Sequence, residues 1–305
     1  MWLATCFVIV LAYVLWMIAT DHFKSSRRQV PWRPVFVHLV SRVDELFWTL
    51  LGVERDWHFT MPLEDYRDHM TKGCCWAFQP HFILLPSFFL GLKAEKLGIP
   101  QRIGIDPQEI LGGAASSLFY IPLFRDIILT LGGRVASPEM LASLRLFGIA
   151  PGGVHEMLHQ VPGSDTCFLR TGFLRLAVQK QVPVIPCYLW GETLTYRPMK
   201  PPAALARFQR LLHKGLGIGL PIWTGRWGIP LNPLPYPGKY LVAVGRPLHP
   251  PEGKSEDEAV ASLLHDYEQE QRRLFNEMQA VQPRPDHQLI FQRLTSRRAP
   301  SKKAD

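Results

Sequence analysis

Three short stretches hold the residues that could do chemistry. Gln79-Pro80-His81 sets one imidazole between Cys74–Phe78, which reads as a strand, and Phe82–Gly98, which reads as an apolar helix. Low-dielectric surroundings keep an imidazole neutral at pH 7, and a neutral imidazole can take a proton from an alcohol as a general base. The second stretch is "APGGVHE", Ala150 to Glu156, where a strand runs into two glycines. Gly152 and Gly153 let backbone N–H groups approach a ligand oxygen, a phosphate or a developing oxyanion, with Glu156 in reach of the same turn. The third is "FLRTGFLRLAVQKQVPVIPCYLWGE", Phe168 to Glu192. There Arg170 precedes Thr171-Gly172 at a helix start, a pairing of guanidinium and free amides suited to an anion. Each stretch alone also admits a structural reading: a core histidine, a tight turn with a surface glutamate, an ordinary helix start.

The elements that must position these residues alternate. "CCWAF", "RIGID", "LFGIAPGG", "VPVIPCYLW" and "KYLVAVGRPL" read as strands, and "PEMLASLR" and "RTGFLRLAVQKQ" as helices. "PEGKSEDEA" resembles a helix start, and the twenty-odd residues that follow carry good helix formers in an amphipathic pattern. Such alternation predicts an α/β fold, with a mixed, largely parallel sheet flanked by helices. Strand ends such as Gly191-Glu192 are where such folds place ligands. Pro198–Gly238 is rich in proline and glycine and reads as a long irregular insertion, a candidate for lying on lipid.

Before that domain lie two other segments. Residues 1–20 carry no charge and are long enough to cross a bilayer as a helix, with the basic flank "HFKSSRR" downstream, which would leave the rest of the chain in the cytosol. Residues 21–70 form a separate amphipathic, membrane-associated segment; within it, 31–58 repeats apolar residues at helical spacing, as either an interfacial or a core-facing helix would. The domain itself is read as 71–281, and 282–305 as a basic tail, disordered over its last ten residues.

Of the 305 residues, 47% are hydrophobic and 20% charged, which excludes a largely disordered chain. The net charge of +8 favours an anionic partner, yet the basic residues lie in scattered pairs without a recognition motif, which argues against nucleic acid. Five cysteines without CxxC or zinc-ligand spacing read as thiols, with Cys74 and Cys75 open to acylation if they lie at a membrane surface. No metal is expected. GxSxG, GxxxxGK[ST] and HExxH are absent, and "GLGIGLP" lacks the strand and acidic partner of a dinucleotide site.

Taken in order, a Pro-His pair, GGxxE, RxGFxxxA and VPxxxxGE resemble the type-2 diacylglycerol acyltransferase and monoacylglycerol acyltransferase family, itself similar to the wider glycerolipid acyltransferases. The resemblance runs from Cys74 to Val281 and includes "FYIPLFRDIILTLGG". It implies transfer of a fatty acyl group from acyl-CoA to the hydroxyl of mono- or diacylglycerol, with no cofactor beyond that co-substrate. A lysophospholipid or long-chain alcohol acceptor, or an inactive lipid-binding protein of the same fold, are the alternatives. On this reading His81 is the base, Glu156 orients it and stabilises its imidazolium, and amides near Gly152 and Gly153 take the oxyanion. Arg170, Arg125 and Gly172 hold CoA phosphate, while Gln79 and Glu192 support the site. The location implied is the endoplasmic reticulum membrane or a lipid-droplet surface, and a homo-oligomer is compatible with it. The family's usual His-Pro-His-Gly reads Gln79-Pro80-His81-Phe82 here, and its Gly-Glu-Pro turn reads Gly245-Arg246-Pro247.

Overall fold

A computed structural model of the chain describes residues 43–70, 73–83, 99–104, 109, 111–121 and 124–294. The membrane helix expected over 1–20 and the apolar helix expected over 82–98, apart from Phe82 and Ile83, lie outside them. Among the described residues no helix is long and apolar enough to cross a membrane.

Strands β1 (Val53–Phe59), β2 (Cys74–Gln79), β3 (Leu111–Ala114), β4 (Gly133–Val135), β5 (Leu146–Ile149), β7 (Val184–Trp190) and β10 (Gly238–Val244) form one sheet in the order β1-β10-β7-β2-β5-β3-β4. Every neighbouring pair is parallel except β10 with β7. The helices that accompany it are α1 (Asp65–Met70), α2 (Ile99–Arg102), α3 (Phe124–Thr130), α4 (Pro138–Ser143), α5 (Gly153–His159), α6 (Gly172–Lys180), α7 (Glu192–Thr195), α8 (Ala203–Leu216) and α9 (Glu256–Val281). This is the mixed, largely parallel α/β architecture the sequence predicts.

The two central strands, β2 and β7, are apolar along nearly their whole length because both faces are covered, with Gln79 at the end of β2 the polar exception. Successive side chains alternate: Cys74 joins the core built with Tyr66 and Met70 of α1, and Cys75 the core built with α6 and α9. Both thiols are fully enclosed, and burial raises that of Cys74 to about 12, so neither is presented for acylation. The acyl-site reading of this pair is therefore withdrawn.

Three further expectations change. Val53–Phe59, read with the amphipathic segment, is an edge strand paired residue for residue with β10, so the folded unit starts before residue 71. Pro198–Gly238 is not irregular throughout: it contains the four-turn helix α8, rooted on the short ribbon β8 (Arg197–Pro198) with β9 (Trp223–Thr224). "RIGID" is not a strand where it is described: Arg102 ends a helix. The tail contributes a strand that the sequence did not announce. β11 (Gln288–Arg293) pairs in parallel with β6 (Ser164–Leu169). Asp165, fully buried in β6, anchors this corner by accepting from Tyr188 Oη (2.7 Å) and Thr193 Oγ1 (2.9 Å) and pairing with His287 Nε2 at 3.0 Å.

Helix α9 starts at a capping box, in which the Ser255 hydroxyl accepts the Glu258 N–H and Glu258 accepts the Ser255 N–H. Replacing Ser255 with alanine is expected to cost about 1 kcal/mol, measured by urea unfolding; no measurable loss would show that packing alone fixes this helix start.

Candidate active site

Three neighbouring parallel strands, β5, β2 and β7, end on the same edge of the sheet. Each delivers one piece of the predicted site there: β5 leads into Gly152 to Glu156, β2 into Gln79-Pro80-His81, and β7 into Gly191-Glu192. The carboxyl ends of parallel strands form a crevice of this kind in open α/β sheets.

Two buried glutamates hold the turn that carries the imidazole. Glu156 Oε1 accepts the His81 backbone N–H at 2.6 Å. Its Oε2 accepts the Gln79 side-chain amide and, at 2.7 Å, the Phe168 N–H. Glu192 Oε1 accepts the next two amides, Phe82 at 3.2 Å and Ile83 at 2.9 Å. Burial pushes the Glu156 pKa up to about 8, against the pull of the Phe168 and His81 N–H groups and Gln79. It likewise pushes Glu192 up to about 7, against Tyr240 and the two amides.

Glu156 therefore acts on the main chain of His81. It was expected to orient the ring, but among the described residues no hydrogen bond reaches the imidazole. The ring is held by packing and by the backbone it hangs from. His81 keeps 9% of its surface open, and burial lowers its pKa to about 4, so it is neutral at physiological pH.

The two glycines differ in what they offer. The Gly153 N–H is committed to the Ala150 carbonyl at 3.0 Å and is not free to hold an oxyanion. A Cβ on Gly152 would lie 2.1 Å from Glu156 Oε2, so Gly152 is the space into which the carboxylate folds. Gly191 plays the matching part for Glu192: its φ is +94°, and a Cβ would meet the Lys239 carbonyl at 2.4 Å.

Gln79 is fully used. It donates to Glu156 and to the Phe168 carbonyl (3.2 Å) and accepts from Tyr267 Oη (2.9 Å), which in turn accepts from Gln271. One amide thus ties β2 to α5, β6 and α9, a set of bonds that requires two donors and an acceptor.

Of the residues assigned to an anion, Arg170 is exposed just before α6, and the space over Gly172 is open, at a helix start with no side-chain cap. Arg125 is placed otherwise. Its guanidinium is enclosed on α3 and paired with Asp126 at 3.3 Å, which withdraws it from an incoming phosphate. Sequence reasoning passed over His155 and His159, whose rings lie 4.1 Å apart, with His155 edge-on to Phe168 at 4.6 Å. The i, i+4 spacing on α5 was the available signal. Burial first, then neighbouring His159, Arg170 and His213, lower His155 to about 4, so its ring is neutral at physiological pH.

A family model described as diacylglycerol acyltransferase matches residues 1–292. This chain belongs to that family. Over 217 residues it is 29% identical to acyl-CoA wax alcohol acyltransferase 2 of Mus musculus, covering 65% of this chain and 63% of that protein. It is 26% identical to diacylglycerol O-acyltransferase 2A of Umbelopsis ramanniana (65% and 59% covered) and 30% identical to 2-acylglycerol O-acyltransferase 3 of Homo sapiens (57% and 54%). The chain thus spans about three fifths of the length of the relatives it matches.

Two expectations follow. Gly152→Ala drives a methyl group into the Glu156 carboxyl and is expected to cost on the order of 2–4 kcal/mol in urea unfolding; a variant as stable as the parent would mean that the carboxyl is free to move. The second concerns pH. Folded Glu156 keeps its proton to about pH 8, the free side chain only to 4.5, so this contribution to stability is complete below 4.5 and is lost as pH rises through 8. Measured against Glu156→Gln, the parent should lose stability between about pH 5 and about pH 9. A difference that stays level would show the carboxyl ionised throughout.

Proposed function

We propose that this protein transfers a fatty acyl group from acyl-CoA to the hydroxyl of a neutral lipid, mono- or diacylglycerol. Support comes from family membership and from one observation in particular: a neutral imidazole at the carboxyl edge of three parallel strands, carried on a turn whose amides two buried carboxyls hold.

In this reading His81 takes the acceptor's hydroxyl proton as the oxygen attacks the thioester carbonyl, and gives it to the departing CoA thiolate. The thioester is already activated, so no acyl-enzyme is formed and no further cofactor enters. Glu156 and Glu192 are positioning residues: they fix the main chain at 81–83 and through it the ring. Arg170 and the open start of α6 are the groups for CoA phosphate. Apolar surroundings limit water, whose attack on the thioester would compete with transfer. Gln79, a full structural partner, gives no ground for an inactive protein. A long-chain alcohol acceptor is the second reading, favoured by the likeness to a wax alcohol acyltransferase. The proposed location is the endoplasmic reticulum membrane or a lipid-droplet surface, with this domain facing the cytosol.

The test uses labelled acyl-CoA with a panel of acceptors. His81→Ala is expected to lower transfer by about 10²–10⁴-fold, and undiminished ester formation would remove His81 as the base. The rate should hold as pH falls past 6.5 and decline only towards 4, because the base form persists to that pH. A midpoint at 6.5 would mean a solvated histidine.

A further inference from the structure

One stretch of the chain has no acidic residue at all. From Thr193 to Pro251 there are eight lysines and arginines and no aspartate or glutamate, a surplus equal to the protein's whole net charge of +8. Helix α8 lies within it, and its polarity is turned outward. Leu205, Phe208 and Leu211, at helical spacing, are 38%, 51% and 69% exposed. Arg207, Arg210 and Lys214 form an exposed stripe beside them. Gln209, on the remaining side, is buried and bonds the Leu220 carbonyl, so the helix is fixed to the domain by its polar flank.

A second group has the same character. Past β9, Trp227 is 72% exposed, Ile229 50% and Leu231 54%. Trp227 and Leu231 both have left-handed backbones, with φ of 63° and 56°, uncommon for bulky side chains. The loop is pinned by bonds from Asn232 Nδ2 to the Arg226 carbonyl (2.9 Å) and from Trp223 Nε1 to the Asn232 carbonyl (2.9 Å). Arg226 also bonds the Leu51 carbonyl, beside the exposed Leu46, Phe47 and Leu50. Firmly held apolar side chains facing water mark an interaction surface.

We propose that α8 and the Trp227–Leu231 loop seat this domain on an anionic phospholipid surface. Apolar groups beside a cationic stripe, with no acid, are what a helix lying in the interface plane requires. The position suits the chemistry: Trp223 of the supporting ribbon packs with Tyr196 on Phe82 and Ile83, next to His81, so a lipid surface met here lies beside the candidate site. The inference stands on exposure and charge and does not depend on the transfer reaction.

The test places an environment-sensitive fluorophore on the full-length chain at Leu211→Cys or, separately, Ile229→Cys in a Cys6→Ser background; the other four thiols are buried. The labelled protein is reconstituted with phosphatidylcholine vesicles containing phosphatidylserine. Quenching by spin-labelled lipid but not by aqueous iodide is expected at both positions. Iodide quenching would mean that the face meets water. Protection from both quenchers would mean that residues 1–20 or a second copy cover it; either result overturns the proposal. Arg207→Glu/Arg210→Glu/Lys214→Glu should weaken the lipid quenching at Leu211→Cys tenfold or more on vesicles with phosphatidylserine. No change would remove the anionic headgroup from the proposal.

Discussion

The site rests on two carboxyl groups taking four backbone N–H groups away from water. Glu156 and Glu192 are fully enclosed, and the amides of His81, Phe82, Ile83 and Phe168 have their partners in them. Where a sheet ends and the chain turns, buried N–H groups lose their ladder and must be satisfied some other way. Side-chain oxygens do it here, and the consequence is mechanical. Among the described residues the imidazole takes no hydrogen bond of its own, and the backbone beneath it is held because a shift would cost buried amides and carboxyl oxygens their partners in a low-dielectric interior.

That arrangement explains motifs a catalytic reading takes at face value. Gly152 precedes Glu156 by four residues because the side chain folds back over the helix start and needs the room. Gly191 precedes Glu192 because the turn off β7 runs against the Lys239 carbonyl. In both motifs the glycine serves the glutamate, and the glutamate serves the chain next door.

Much of this was legible in the sequence. Apolar runs bounded by glycine and proline announced β2, β5, β7 and β10, and Ser255 announced α9. His81, Glu156 and Glu192 were placed together because strand ends in such folds converge. The order of residues could not say which atom a carboxyl would reach: spacing brings Glu156 near residue 81, but only the path of the chain decides between ring and amide. α8 stayed hidden because Pro198, Pro201, Pro202 and Pro221 flank it and, with the nearby glycines, make the stretch read as irregular. β11 is exposed along much of its length and shows little alternation. Arg125 sits where a phosphate ligand was expected by resemblance, yet the fold encloses it.

The amide of Gln79 has an implication for how this sequence can drift. It gives two hydrogens and receives one, from partners on three separate elements. A neutral imidazole has a single hydrogen to give, so histidine at this position would leave either the Phe168 carbonyl or Glu156 short of a donor. Changes at 79 are thus tied to what Glu156, Phe168 and Tyr267 can offer. One side chain couples two points 188 residues apart in the chain.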